Sequence, residues 1–151
     1  GATSSVESID QALKNEINKL FAEDDSRKLI VFPPTRQITI KKGNEDNPGF
    51  AFSIRNVEIT EGKFTYEVFA NDPDLRDRCN LNEAEVESWI QVGRTGSITI
   101  PPGSSMADPE HVRFFIPESA PPCTVRYGIE VEKDRVQYGT TINVDLKVKS
   151  S

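Results

Sequence analysis

Apolar residues in this chain follow two different periods. Through residues 1–27 they recur at spacings of three and four, and from Lys28 onward they fall at every second position in short runs separated by Pro, Gly, Asn and Asp. The first period returns side chains to one face of a helix, and the second sends them alternately to the two faces of a strand. Residues 1–27 therefore form a segment built on one amphipathic helix, with Val6, Ile9, Leu13, Ile17, Leu20 and Phe21 along its stripe. Ser5 stands before the stripe as a cap, and Glu7 and Asp10 place negative charge near the N-terminus.

Residues 28–149 read as a β domain. Leu29–Phe32 is a short apolar run closed by Pro33 and Pro34, and Ile38 and Ile40 alternate with polar neighbours. Phe50, Phe52 and Ile54 define a third strand, and a hairpin through Glu61, Gly62 and Lys63 leads to Phe64, Tyr66, Val68 and Ala70 in a fourth. The alternation resumes at Ile98 and Ile100, at Val112, Phe114 and Ile116, and at Ile142, Val144, Leu146 and Val148. It is longest at Cys123, Val125, Tyr127, Ile129 and Val131, opposite Thr124, Arg126, Gly128 and Glu130. One insertion interrupts it. Over about 82–92, Asn82 and Glu85 have the spacing of a capping box, and Ala84, Val86, Trp89, Ile90 and Val92 predict a short helix covering an edge or end of the sheet. Seven or eight short strands with a turn every ten or so residues predict a mainly-β fold, a two-sheet antiparallel sandwich.

Composition narrows the partners. With 18 basic and 24 acidic residues the net charge is −6 and the pI about 4.9, which disfavours phosphate backbones and anionic lipid headgroups. Nucleic acid is not an expected partner. No run of apolar residues is long enough to cross a bilayer, so membrane attachment is expected only through an anchor upstream of Gly1. The two cysteines, Cys79 and Cys123, allow a single intrachain pairing; paired, they point to an oxidising, extracytoplasmic compartment.

The sequence from Ser97 to Val148 carries a family likeness. Ile-Thr-Ile-Pro-Pro-Gly-Ser-Ser, followed by Val-Arg-Phe-Phe-Ile-Pro-Glu-Ser-Ala-Pro-Pro-Cys and the long Tyr127-bearing strand, resembles the second half of immunoglobulin-like (Ig-like) surface domains of archaeal and bacterial exported proteins. Asn-Pro-Gly-Phe-Ala-Phe-Ser-Ile-Arg-Asn is similar to their second strand. The resemblance implies an Ig-like sandwich at the cell surface or secreted. Cys123 stands where those domains usually have glycine and Cys79 falls in a loop, so the antibody-type inter-sheet bridge is not implied, and Trp89 lies in the insertion instead of on a core strand. A helix feeding a sandwich also resembles, in architecture, the soluble heads of archaeal type IV pilin-like and archaellum-associated proteins.

No residue pattern identifies a reaction. His111 is the only histidine, it has no accompanying nucleophile elbow, and zinc would lack ligands of the right spacing. Glu83, Glu85 and Glu87 read as a solvated helix face, and Gly43, Gly49 and Gly62 stand singly at turns with no phosphate loop. Neither an enzyme nor a cofactor is expected. Calcium has one candidate loop, in which Asp72, Asp74 and Asp77, with Asn80 and Asn82, offer oxygen ligands. Trp89 and Tyr138 are the aromatic residues left for a sugar platform. Phe32, Phe69 and Phe115 fall at outward positions of their strands, and this aromatic surface is expected to be covered by a helix of the chain or by another protein. The sequence thus reads as a structural or adhesive surface module, a subunit of a surface filament in the manner of pilin heads or a membrane-anchored surface protein, that contacts itself or another surface protein through those phenylalanines or through the helix stripe. A carbohydrate- or calcium-binding module of an exported enzyme is the alternative.

Overall fold

The computed structural model describes residues 2–46 and 48–150, with side chains from Gln11 onward. Helix α1 (Ala2–Glu23) is followed by β1 (Leu29–Phe32), β2 (Gln37–Lys41), β3 (Gly49–Ile54) and β4 (Gly62–Ala70). Two short helices, α2 (Leu75–Cys79) and α3 (Glu83–Ser88), precede β5 (Ile90–Val92), β6 (Thr95–Ile100), β7 (Glu110–Phe114), β8 (Thr124–Lys133), β9 (Val136–Gln137) and β10 (Ile142–Lys149). The strands form two sheets. One has the order β1-β3-β7-β5; the other runs β2-β10-β8-β4-β6, with β9 pairing β8. Mainly β with two facing sheets, the chain is a sandwich as its alternation predicts.

The core lies between the sheets and is built from the alternating positions. Phe52 packs edge-on against Tyr66 with ring centroids 5.0 Å apart, and Phe64 does the same against Tyr138. Strand β8 supplies Val125, Tyr127, Ile129 and Val131, all buried, in register with Val68 of β4 and Val144 of β10.

Four expectations change. The sandwich is not wholly antiparallel, because β2 lies parallel to β10, with Gln37 opposite Asp145 and Lys41 opposite Lys149. No hairpin joins β3 to β4: they belong to different sheets, and the segment between them crosses from one to the other. Buried Asn56 holds that crossing, its amide donating to the carbonyls of Thr60 and Ile100 while its oxygen accepts from the N–H of Glu58. The inserted helix spans only Glu83–Ser88, because the β-branched Ile90 and Val92 pair with β7 instead of continuing it. Its capping box is present, with Asn82 accepting from Glu85 N–H at 2.8 Å and the Glu85 carboxylate accepting from Asn82 N–H at 3.2 Å. Finally, Cys79 ends a helix instead of lying in a loop, since α2 buries Leu75 and Cys79 one turn apart. Leu75, Leu81, Val86 and Trp89 all enter the core, so the insertion covers an end of the sandwich.

Burial gives the tyrosines a role in alkaline stability. The Tyr66 hydroxyl, removed from water and donating to Glu110 at 2.6 Å beside its charge, resists ionisation. Tyr127 does so too, mainly through burial and secondarily through the charge of Glu87, and burial also raises Tyr138. The unfolded chain therefore loses these protons near pH 10 while the folded chain keeps them, and stability falls as pH rises beyond that value. A tyrosine whose proton the folded chain keeps in full contributes a slope of at most about 1.4 kcal/mol per pH unit above pH ~10. Guanidinium unfolding measured on both sides of that pH checks it, with Tyr66→Phe expected to make the slope shallower.

Candidate functional site

The four-stranded sheet has an outer face whose side chains follow from register. Ile30 and Phe32 of β1 stand beside Ser53 and Ala51 of β3, and Ala51 and Gly49 stand beside His111 and Arg113 of β7. Helix α1 docks on the β1 side of this face. Ile17 and Phe21 are buried against Ile30, with Leu13, Leu20 and Phe32 at the margin of the cluster. A second tether lies one turn before Ile17, where the Lys14 ammonium pairs with Asp108 at 3.2 Å.

Beside α1, the small residues of β3 leave the face hollow. A groove of about 690 Å³ runs there, with Ala12, Leu13 and Phe32 on the helix side and Ala51, His111 and Arg113 on the sheet side. It is mostly apolar. The polar groups at its rim include Glu16, which is exposed, and the Arg113 guanidinium, 3.5 Å from Nδ1 of His111. Gly49 has a packing reason to be glycine, since a Cβ at that position would run into the Val112 carbonyl of the neighbouring strand.

The residues singled out from the sequence divide among several places. Leu13, Ile17 and Leu20 pack α1 onto the sheet, whereas the side chains of Val6 and Ile9 lie outside the described residues. The three phenylalanines do not make one patch. Phe32 is half-buried by α1, Phe69 lies on the outer face of the other sheet with its ring against Gly128, and Phe115 is 45% exposed just beyond β7. Alternation tells inward from outward along one strand; it carries no information on which sheet the strand joins.

The disulfide between Cys79 and Cys123 is formed, with Cα atoms 5.8 Å apart, and ties the end of α2 to the start of β8. Asp72 is buried next to it and already engaged: it accepts from Arg78 Nη2 at 2.5 Å and from the N–H of Arg126 at 3.1 Å. Asp74 stands just before α2 without a capping hydrogen bond and Asp77 is exposed on the helix, so the calcium candidates are not gathered around one point. Among the described residues, no three His, Cys, Asp or Glu side chains group to hold a metal. Trp89 and Tyr138 are each only 5% exposed, which removes both from any sugar-stacking surface.

The sequence matches no protein-family model and no curated protein. Among solved structures, a family 123 glycoside hydrolase from Clostridium perfringens is similar at TM-score 0.53 and 12% identity, over 76% of this chain and 23% of that one. The likeness is one of fold. The present chain thus spans under a quarter of the length of that hydrolase. Weaker likenesses reach the apo form of the Calx CBD1 domain (TM-score 0.44, 13% identity, 82% of this chain and all of that one) and the CsuC-CsuE chaperone-tip adhesion subunit complex of Acinetobacter baumannii Csu pili (0.43, 19%, 82% and 57%).

The groove was not singled out from the sequence, although its signal is there. In Gly49-Phe-Ala-Phe-Ser-Ile54 the inward positions are large and the outward ones are Gly, Ala and Ser. A strand whose outer row is small and uncharged prepares a surface for something to lie on.

Proposed function

We propose that this chain is a non-enzymatic, extracytoplasmic module of the Ig-like sandwich type, structural or adhesive in role, which binds another surface protein in the groove beside α1. The observation that carries this reading is the half-covered sheet: α1 buries the β1 side, while the small residues of β3, Gly49 and Ala51, leave a mostly apolar groove beside it that His111 and Arg113 of β7 border. Strands are about 4.8 Å apart and a helix with its side chains is about 10 Å across, so the uncovered pair of strands matches the footprint of one more helix. Helix-in-groove docking is a recurrent mode of protein recognition. In a surface filament of the pilin-like kind, the amphipathic helix of another subunit would be such an occupant.

The rest of the molecule is in keeping with this reading. A disulfide between an α2 residue and the start of β8 suits an oxidising compartment, and no described helix is long and apolar enough to span a membrane. Both cysteines are engaged in that bond, and Asp72, Glu87 and Asp145 are paired with arginines, so these groups serve structure.

Ala12 offers a clean test because it is exposed on the helix wall of the groove and outside the core. Ala12→Arg fills the groove with a long cationic side chain while changing stability by no more than about 0.5 kcal/mol. Extracted under native conditions from the cells that make it, the unaltered chain should run in a complex larger than its 16.9 kDa, and the variant should run free of it. A variant that stays in the complex would rule out the groove as the binding surface.

A further inference from the structure

A sheet edge leaves a row of backbone N–H and C=O groups without partners, and it templates another strand unless something guards it. The sandwich has four edges. Strand β1 is four residues long, adjoins Pro33 and lies under α1. Strand β2 ends on Lys41, followed by Lys42, and β5 has three residues with a bulge between Ile90 and Val92. Strand β6 is guarded only at its ends, by Arg94 before it and Pro101-Pro102 after it. Its six residues, Thr95-Gly-Ser-Ile-Thr-Ile100, include no charge and no proline, and they pair with β4 in unbroken register from Ile100↔Gly62 to Thr95↔Glu67.

The ladder also tells which groups face outward. The Val68 N–H donates to the Arg94 carbonyl at 2.7 Å. Hydrogen-bonded and non-bonded pairs alternate in an antiparallel ladder, so Gly96, Ile98 and Ile100 bond to β4, and Thr95, Ser97 and Thr99 turn their backbone groups to the open edge. Their side chains are exposed on the outer face of the sheet.

We infer that β6 pairs antiparallel with β6 of a second copy of this chain, about a two-fold axis through Ser97. The register follows from the outward groups. Centred on Ser97, the pairing sets Thr95 against Thr99 and Ser97 against itself, and all three N–H and three C=O groups of each strand are used. Centred on Gly96 or Ile98 it uses fewer, because Thr99 then overruns β6 or Thr95 meets Pro101, which has no N–H. In the Ser97 register, half-buried Ile98 lies opposite Gly96 of the other copy, so the isoleucines are covered without clash, and opposed Ser and Thr side chains are compatible neighbours. The two larger sheets become one. This contact uses the edge of the sheet opposite to the α1 groove and stands independently of it.

Because each copy carries a net charge of −6, added salt should tighten the dimer by screening repulsion. Sedimentation equilibrium of the whole chain into the millimolar range should show a reversible dimer, and Ser97→Lys, which opposes two ammonium groups, should weaken it about tenfold or more. The register is tested by thiols. Ser97→Cys brings two sulfurs across a pair with Cα atoms about 5.5 Å apart, within disulfide reach. Thr99→Cys faces Thr95 of the other copy and should cross-link far more slowly. A chain that remains monomeric throughout, a Ser97→Lys variant that dimerises unchanged, or equal cross-linking at positions 97 and 99 would each overturn the inference.

Discussion

Replacing Cys79 and Cys123 together by alanine is expected to lower the unfolding free energy by about 4 kcal/mol, the loop-closure entropy for cysteines this far apart in sequence. The bond joins residues 44 positions apart, and the loop it closes contains α3, two of the four strands of the smaller sheet, β5 and β7, and the edge strand β6 of the larger. Unlinked, the unfolded chain regains the freedom of all that sequence, whereas the folded chain loses little besides the bond. For a chain of this size the melting temperature should fall by about 8–16 °C. The neighbourhood should loosen as well, since Arg78 spans Asp72 and the Thr124 carbonyl right beside the sulfurs. Calorimetry of the oxidised chain, the reduced chain and the double variant provides the measurement. Equal melting temperatures for all three would show that the disulfide contributes nothing to the fold.

Tyr127 should produce the largest effect of any single core side chain. It is fully buried on β8, its ring lies 5.1 Å from that of Phe114 on the facing sheet, and its hydroxyl donates to the Val86 carbonyl of α3 at 2.7 Å. One side chain thus joins both sheets and the inserted helix. Tyr127→Ala opens a cavity among all three and should cost about 3–5 kcal/mol, a large part of the ~5–15 kcal/mol that keeps a domain folded. Tyr127→Phe retains the ring and should cost only about 1 kcal/mol, since the Val86 carbonyl keeps the Trp89 N–H as a partner at 3.3 Å. Denaturant midpoints of the two variants separate the packing contribution from the hydrogen bond. A loss below about 1.5 kcal/mol for Tyr127→Ala would mean that this junction is not central to the core.

The sandwich is legible because alternation is a local property. Phe50, Phe52 and Ile54, or Val125 to Val131, are marked as inward by their own neighbours, and the core uses them so. Pairing is not local. Nothing in Leu29–Phe32 or Gln37–Lys41 states that the first joins β3 and the second lies parallel to β10, and the expected hairpin at Gly62 fails for the same reason. Helix α2 escapes notice because five residues give a period of 3.6 too little length to register, and α3 is read too long because Ile90 and Val92 suit the stripe of a helix as well as a strand. The candidate site is the least legible part. Leu13 and Phe32 are recognised as surface-forming residues, but the groove arises only when β3 and β7 are brought together beside α1.

Whether the groove is a protein-binding surface can be put to a single measurement. A photo-reactive amino acid is introduced at position 12, in the groove, or at position 39, on the exposed outer face of the opposite sheet, and the chain is irradiated in the cells that produce it. The expected result is a discrete cross-linked protein from position 12, with none or far less from position 39. Equal cross-linking from both positions, or none from position 12, would contradict the account.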